Sequence, residues 1–370
     1  MGDAITDGRR IGLVLGAGGV MGGAWLTGAL EALAAETGWD PGSADHLVGT
    51  SAGAMMGALL AGGIPPWFMV AHSAGEVFEG LTDARGEPAD RADRAGGAVF
   101  RLHRGLPAVG PGSWRLAMTT LRRPLRHTPA AVAAGWLPSG LVSTEPIRDT
   151  VRRVVPEAWA PHPALWIAAC DYATGRRVAF GRDGAPACDL ADAVAASCAI
   201  PGFYRPVAIA GRRYVDGGMW SASNLDLLRD CELDLAICLN PTSSRETAAG
   251  NLPLERVGAA FRRVSGRRLG SEARKLRERG AETVLIQPTA EDLVAMGPNL
   301  MRTRGRHRVI ETAIRTTREQ LRSPEVRERL QRLPAGEPHK VARPDGPPSS
   351  WPDLTPVATR VGAASGAESS

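Results

Sequence analysis

Residues 45–60, DHLVGTSAGAMMGALL, decide the fold: an apolar run ends at a glycine-flanked serine and passes directly into a small-residue helix pattern. The frame Gly49-Thr50-Ser51-Ala52-Gly53 predicts a sharp strand-to-helix turn that projects the Ser51 hydroxyl above a sheet. The first N–H groups of the following helix point at this serine and favour developing negative charge there. The stretch predicts acyl hydrolysis, although such a frame alone occurs by chance in about one chain in four of this kind.

The same strand-loop-helix unit occurs earlier in the chain. Residues 10–15 (RIGLVL) form a short apolar run, residues 16–23 (GAGGVMGG) a glycine loop, and residues 24–35 have helical spacing. Two successive βα units predict an α/β fold with a largely parallel sheet, whose carboxyl-end loops carry the site. Five later runs are predicted strands: 165–170, 177–180, 213–216, 235–239 and 283–286.

Composition narrows the class of protein. With 370 residues and 44% apolar content, the chain can bury a large core, and we expect one domain over 9–333. The net charge of +5 suits peripheral contact with an anionic membrane surface, or plain solubility, better than a nucleic-acid groove, so we expect no nucleic-acid partner. Five scattered cysteines predict reduced, buried thiols in a cytoplasmic protein rather than a zinc site or a disulfide framework. We expect no signal peptide and no transmembrane segment. The sequence does not indicate an oligomeric state.

Three regions lie wholly or mostly outside the predicted sheet. Residues 82–140 are rich in Gly, Pro, Arg and Ala and contain one helical pattern, 114–121. This cap-like insertion is either a mobile lid that touches lipid or a surface excursion with a small core of its own. Residues 254–333 contain two basic helical stretches, 254–279 and 302–333, which form a solvated outer layer or a membrane contact. We expect the Pro/Gly/Ser-rich tail, 334–370, to be disordered.

A serine nucleophile needs a base and an oxyanion hole. The early glycine loop supplies candidate donors in the backbone N–H groups of Gly18, Gly19 and Val20. The candidate base is Asp216, which follows a predicted strand and precedes Gly217 and Gly218. An aspartate with its usual pKa of about 3.9 is a poor base, so we expect Asp216 to be partly buried.

Taken together, these segments resemble the patatin-like phospholipases, a family of acyl hydrolases with a Ser/Asp dyad. The resemblance covers residues 11–239 and rests on four segments in the family's order. These are the loop from Gly16 to Gly22, the frame from Gly49 to Gly53, the stretch 196–207 (ASCAIPGFYRPV) and the turn from Asp216 to Gly218, followed by Asn224. One departure is Met21, where the family usually has a basic residue.

The resemblance implies a three-layer α/β/α sandwich without metal or cofactor. It implies cleavage of a lipid ester, a phospholipid or lysophospholipid acyl chain, with Ser51 and Asp216 as the dyad. Transfer of the acyl group to an acceptor other than water stays open.

Three alternatives compete with this hypothesis. Ser51, Asp216 and His307 follow the chain order of an α/β-hydrolase triad. Gly16, Gly18 and Gly22, with Glu36 or Asp40 downstream, are compatible with a dinucleotide loop and an oxidoreductase. The third alternative is a lipid-binding protein that keeps the fold without turnover.

Overall fold

The structure is a computed structural model, and it describes residues 8–74, 100–103, 110–122, 128–246 and 253–336. Within these ranges the strands are Ile11–Leu15 (β1), His46–Thr50 (β2), Leu165–Asp171 (β3), Arg177–Phe180 (β4), Val207–Ile209 (β5), Arg212–Asp216 (β6), Leu235–Leu239 (β7) and Glu282–Ile286 (β8). The α-helices are Gly19–Thr37 (α1), Ala52–Ala61 (α2), Pro66–Ala74 (α3), Trp114–Arg122 (α4), Pro129–Trp136 (α5), Glu145–Val154 (α6), Leu190–Ser197 (α7), Pro253–Arg277 (α8), Ala290–Met296 (α9), Arg306–Leu321 (α10) and Pro324–Leu330 (α11). Short 3₁₀ helices cover Pro41–Ser43, Gly217–Met219 and Leu225–Asp230.

All eight strands belong to one mixed sheet, with the order β5-β6-β3-β2-β1-β7-β8 and with β4 also paired to β3. The pairs β1–β2, β1–β7, β2–β3 and β7–β8 are parallel. The pairs β3–β4, β3–β6 and β5–β6 are antiparallel. The predicted βα units β1–α1 and β2–α2 therefore lie side by side at the centre of a largely parallel sheet.

Helices cover both faces of the sheet. In β1, Ile11, Leu13 and Leu15 point into the larger core, which they share with α1, α2, α7 and α10. Val14 points to the opposite face, where α8 and the 3₁₀ helix Leu225–Asp230 close a second core. Strands buried on both sides are apolar throughout rather than alternating, which is why the sequence shows β1 as a continuous apolar run. The predicted α/β/α sandwich is confirmed.

The pairing of β3 brings two other strands end to end. Its residues 167–170 pair with β4, residues 165–168 with β2, and residues 169–171 with β6. Because β4 overlaps both of the others, it must occupy one edge of β3, and β2 and β6 must share the other edge. β2 runs parallel to β3 and ends at Thr50 opposite Ala168, whereas β6 runs antiparallel and ends at Asp216 opposite Ala169. The carboxyl ends of β2 and β6 therefore face each other across one residue step.

The basic stretch 302–333 consists of two helices, because Ser323 and Pro324 begin α11 after α10 has ended. Many of its arginines form ion pairs: Arg318 and Arg322 with Glu36, Arg315 with Glu291 and Glu319, and Arg329 with Glu325. These contacts favour the solvated outer layer over a free basic surface in this part of the chain. Of the tail, residues 337–370 lie outside the described residues, while the Gly336 N–H still donates to the Gly38 carbonyl at 2.8 Å.

The cap-like insertion is described over 100–103, 110–122 and 128–140; its other residues lie outside the described ranges. In the described chain, no helix taken alone has both the length and the apolar composition to cross a membrane. Helices α2 and α3 meet those criteria only as a pair, and they are bent by 118° to each other. The cytoplasmic location stays a prediction.

Candidate active site

Ser51 lies on the turn between β2 and α2 in a backbone conformation that is unusual for a residue with a side chain. Its φ is 53° and its ψ is −117°, and it is 3% exposed. A non-glycine residue held at such angles costs of the order of 1–3 kcal/mol. The turn fits only because Gly53 has no side chain: a Cβ there would lie 2.0 Å from the Leu15 carbonyl oxygen of the neighbouring strand. Gly49 is also confined, because a Cβ there would lie 2.5 Å from the Ala54 Cα.

Hydrogen bonds from the end of α7 fix this strained turn. The Ser51 N–H donates to the Ser197 Oγ at 2.8 Å, and that hydroxyl donates to the Ala168 carbonyl of β3 at 2.6 Å. The Cys198 Sγ lies 3.2 Å from the Ser51 carbonyl oxygen, to which it donates. Ser197 is fully buried. Its single hydroxyl therefore links the nucleophile turn to the middle of the sheet.

Asp216 lies at the end of β6 with its side chain against Ser51. It is 6% exposed, its carboxylate accepts a hydrogen bond from the Gly218 N–H at 2.7 Å, and the Ser51 side chain is near enough to lower its pKa. Burial raises the pKa of Asp216 to about 6, while the Ser51 side chain and the Gly218 N–H oppose the rise. Burial of this depth, greater than the partial burial expected from the sequence, raises the pKa into the range that a general base would need near neutral pH.

Asn224 joins the two strand ends. It is fully buried, and its Nδ2 donates to the Thr50 Oγ1 at 3.0 Å and to the Ser221 carbonyl at 2.6 Å, with the Gly217 carbonyl at 3.5 Å. Its Oδ1 accepts from the Arg177 guanidinium at 3.1 Å. Gly217 permits the close approach, because a Cβ there would lie 2.3 Å from the Ala168 carbonyl oxygen. A buried amide therefore holds the serine and aspartate turns in register.

The glycine loop between β1 and α1 lies in the same region, since Gly53 abuts Leu15 and Gly16, and Gly218 abuts Ala17. Most of its N–H groups have partners: Gly16 donates to Leu239, Ala17 to Ala222, Met21 to Leu300 and Gly22 to Gly18. Within the described residues, the N–H groups of Gly18, Gly19 and Val20 have no such acceptor. These are the same three groups that the sequence predicts as oxyanion donors.

The residues that the triad and dinucleotide hypotheses require lie away from the serine turn and the glycine loop. His307 is exposed in the first turn of α10, whereas Ser51 and Asp216 are buried. Glu36 pairs with Arg318 and Arg322, and Asp40 caps a 3₁₀ helix through the Gly42 N–H. None of these side chains is brought to the glycine loop or the serine turn by the contacts of the described residues.

Met21, the departure in the loop, is fully buried in the larger core. Its N–H is bonded to Leu300, so it differs from the three free donors before it. In this chain, position 21 therefore holds the start of α1 by packing.

Two positioning residues were not predicted. Ser197 is one residue of the stretch 196–207 and carries no mark of its own there, and Asn240 lies just beyond the segments that resemble the family. The Asn240 Oδ1 packs closely against Gly16, since a Cβ on Gly16 would lie 2.3 Å from it. Asn240 therefore supports the base of the glycine loop. Their partners are distant in the sequence, and only the fold brings them together.

The comparison with protein families agrees with this geometry. Among the described residues, no group of three or more His, Cys, Asp or Glu side chains could hold a metal ion. The family model described as patatin-like phospholipase matches residues 13–229, more than half of the chain. The matched range contains the glycine loop, the Ser51 turn, Ser197, Asp216 and Asn224. The protein therefore belongs to the patatin-like phospholipase family of lipid acyl hydrolases.

Proposed function

We propose that the protein cleaves the carboxylic esters of phospholipids or lysophospholipids, with Ser51 as nucleophile and Asp216 as its general base. The observation that carries this proposal is the meeting of β2 and β6 end to end, which places the buried Ser51 side chain close enough to the Asp216 carboxylate to lower its pKa. Family membership supports the lipid acyl hydrolase class. The dyad and the oxyanion donors are proposed from the positions of these residues, and the lipid ester substrate is proposed from family membership.

The reaction proceeds in two acyl-transfer steps. The Ser51 Oγ attacks the ester carbonyl carbon as its proton passes to the Asp216 carboxylate, and the carbonyl oxygen takes the negative charge. The N–H groups of Gly18, Gly19 and Val20 hold that oxyanion, assisted by the N-terminus of α1. Protonated Asp216 returns the proton to the leaving alcohol. Water then attacks the acyl-serine with Asp216 again as base, releasing the fatty acid and restoring Ser51.

Labelling with a fluorophosphonate tests the nucleophile directly. We expect one covalent adduct on the peptide containing Ser51, detected by mass spectrometry, because the probe reacts only with an activated hydroxyl. Ser51→Ala and Asp216→Asn should lose labelling and reduce kcat/KM for lipid esters by about 10³-fold or more. Ser43→Ala, an exposed serine outside the site, is the matched control. Labelling of another residue, or an active Asp216→Asn enzyme, would contradict the mechanism.

Comparing the pH profiles of wild type and His307→Ala distinguishes an aspartate base from a histidine base. Because the pKa of Asp216 is about 6, kcat/KM for a water-soluble short-chain ester should be flat above pH 7 and fall about tenfold per pH unit well below pH 6. His307→Ala should leave both the rate and the profile unchanged. An acid limb that disappears in His307→Ala would reinstate the triad.

A further inference from the structure

Helix α4 turns its apolar stripe outward. The pattern of residues 114–121 places Trp114, Met118 and Leu121 on one side, at positions i, i+4 and i+7. Trp114 is 61% and Leu121 64% exposed, with Met118 also exposed. The buried side of the helix consists instead of Leu116, Ala117 and Thr120. A surface helix ordinarily hides its large apolar residues, whereas α4 exposes three of its four and buries only Leu116.

Exposed apolar side chains are concentrated in the part of the chain that contains this helix. Of the eleven large hydrophobic residues exposed among the described residues, eight lie between positions 100 and 141. They are Phe100, Leu102, Trp114, Met118, Leu121, Trp136, Leu137 and Leu141. Trp114 and Leu137 belong to the same end of the α4–α5 pair, because the Gly112 N–H donates to the Leu137 carbonyl at 2.7 Å. Clustered exposure of this kind marks an interaction surface rather than scattered surface residues.

The charge of the same segment has one sign. Residues 100–144 contain six arginines and no Asp or Glu. On α4 itself, Arg115 and Arg122 are exposed beside the apolar stripe. In α10 and α11, by contrast, Arg315, Arg322 and Arg329 are paired with glutamates. The positive charge around α4 is therefore not compensated within its own segment, and it complements an anionic surface.

The pair α4–α5 is attached to the strand end that carries Asp216. The Thr128 Oγ1 donates to the Met219 carbonyl at 2.6 Å, in the 3₁₀ helix that follows Asp216. The Tyr172 hydroxyl donates to the Ala134 carbonyl of α5 at 2.9 Å. A small buried cluster closes the contact: Leu116, Ala131, Ala134, Cys170, Tyr172, Val215 and Met219. A surface that held α4 would therefore hold the candidate active site next to it.

We propose that the outward face of α4, formed by Trp114, Met118 and Leu121 and flanked by Arg115 and Arg122, is a docking surface for anionic phospholipid bilayers. The apolar side chains enter the boundary between head groups and acyl chains, and the guanidinium groups meet lipid phosphates. This inference rests on the proposed lipid substrate, which would be drawn from the same bilayer. A protein partner with an acidic, apolar groove is the alternative occupant.

Cosedimentation with vesicles tests the surface without turnover. The full-length chain carrying Ser51→Ala is mixed with sucrose-loaded vesicles of phosphatidylcholine alone or with 30% phosphatidylglycerol (the composition chosen for the test). We expect the partition coefficient to be at least tenfold higher for the anionic vesicles and to fall in high salt. Adding Trp114→Ser with Leu121→Ser, or Arg115→Gln with Arg122→Gln, should each lower it about tenfold or more.

Matched controls come from exposed residues elsewhere. Val294→Ser removes an exposed apolar side chain of α9, and Arg308→Gln with Arg327→Gln removes two exposed arginines of α10 and α11. These variants should bind vesicles like the parent, and thermal melting confirms that every variant is folded. If these control variants lost vesicle binding as strongly as the α4 variants, binding would depend on exposed apolar or basic residues in general, and the proposal would be overturned. No binding of the parent to anionic vesicles would also overturn it and favour the protein partner.

Failure of this inference is separable from failure of the proposed function. Hydrolysis of a water-soluble ester by the wild-type enzyme needs the dyad but no bilayer. Binding of the Ser51→Ala chain to vesicles needs the α4 face but no dyad. A protein that hydrolyses the soluble ester and ignores anionic vesicles would retain the proposed chemistry and lose the docking surface; the reverse result would do the opposite.

Discussion

The two strand ends that meet in the candidate site are each unfavourable for folding, but for different physical reasons. At the end of β2, the cost is in the backbone: Ser51 is held at φ 53°, a region that side chains rarely adopt. At the end of β6, Asp216 has ordinary angles, φ −48° and ψ 131°, and the cost is electrostatic, because its carboxylate is buried. Both ends are supported by β3, through the Ala168 and Ala169 pairings.

The comparison shows how the fold divides the requirements of the chemistry. A nucleophile needs its hydroxyl in one place, and strain in a short turn fixes it there. A base needs a pKa near the working pH, and burial supplies it. The strain at Ser51 is steric, whereas the penalty for burying the Asp216 carboxylate depends on its protonation. Substitutions can therefore separate the two contributions, and the free energy of unfolding measures both.

The largest effect should come from filling the space at either end. Gly53→Ala and Gly217→Ala place a Cβ 2.0 and 2.3 Å from the Leu15 and Ala168 carbonyl oxygens, so the backbone must move. We expect each to lower the free energy of unfolding by about 3 kcal/mol or more, measured by urea denaturation. Gly57→Ala in α2 is the matched control, because its nearest neighbour is 3.6 Å away and the helix interior favours alanine by up to about 1 kcal/mol. A loss at position 53 no larger than at position 57 would mean that the close packing of the turn is not required.

An intermediate effect should separate the charged end from the strained one. Asp216 binds its proton more tightly in the folded protein, with a pKa of about 6 against 3.8, so its contribution to stability is greatest below pH 3.8 and is lost as pH rises through 6. Between pH 4 and pH 7.5, wild type should lose up to about 3 kcal/mol relative to Asp216→Asn, at about 1.36 kcal/mol per pH unit. Urea denaturation at several pH values measures this difference.

Ser51→Ala is the control for that experiment, since it keeps the carboxylate. It removes the hydroxyl that lowers the pKa of Asp216, so its stability should depend on pH at least as steeply as that of wild type. Identical pH dependence in wild type and Asp216→Asn would show that the buried carboxylate carries no such cost.

The sequence predicts those features of the site that depend on residues close together in the chain. The serine frame, the glycine loop and the Asp216 turn are each encoded within a few residues, by apolar runs that end in glycines. The α/β layering follows from the same βα units, and the structure confirms it. The α4 helix was also predicted, at 114–121, but its apolar stripe faces outward, which helical spacing alone cannot decide.

The features that could not be predicted depend on contacts between residues that are far apart in the sequence. The register of β3 sets β2 and β6 end to end, and nothing within either strand specifies it. The Ser197 hydroxyl lies 146 positions from the N–H that it holds, and the Asn224 amide lies 174 positions from Thr50. A small buried serine in an alanine-rich helix has no local signature, because its role exists only once the sheet has formed.

The smallest effect isolates the backbone strain at Ser51. Ser51→Ala and Ser51→Gly both remove the hydroxyl and its effect on Asp216, and they differ only in the Cβ that φ 53° disfavours. Glycine should therefore be the more stable variant by about 1 kcal/mol, even though it loses more chain entropy on folding. Ser43, which is exposed and does not have a positive φ, should show the reverse order, with alanine above glycine. If alanine were the more stable variant at both positions, the backbone at Ser51 would not be measurably strained. Of the two unfavourable contributions, only the burial of Asp216 would then remain.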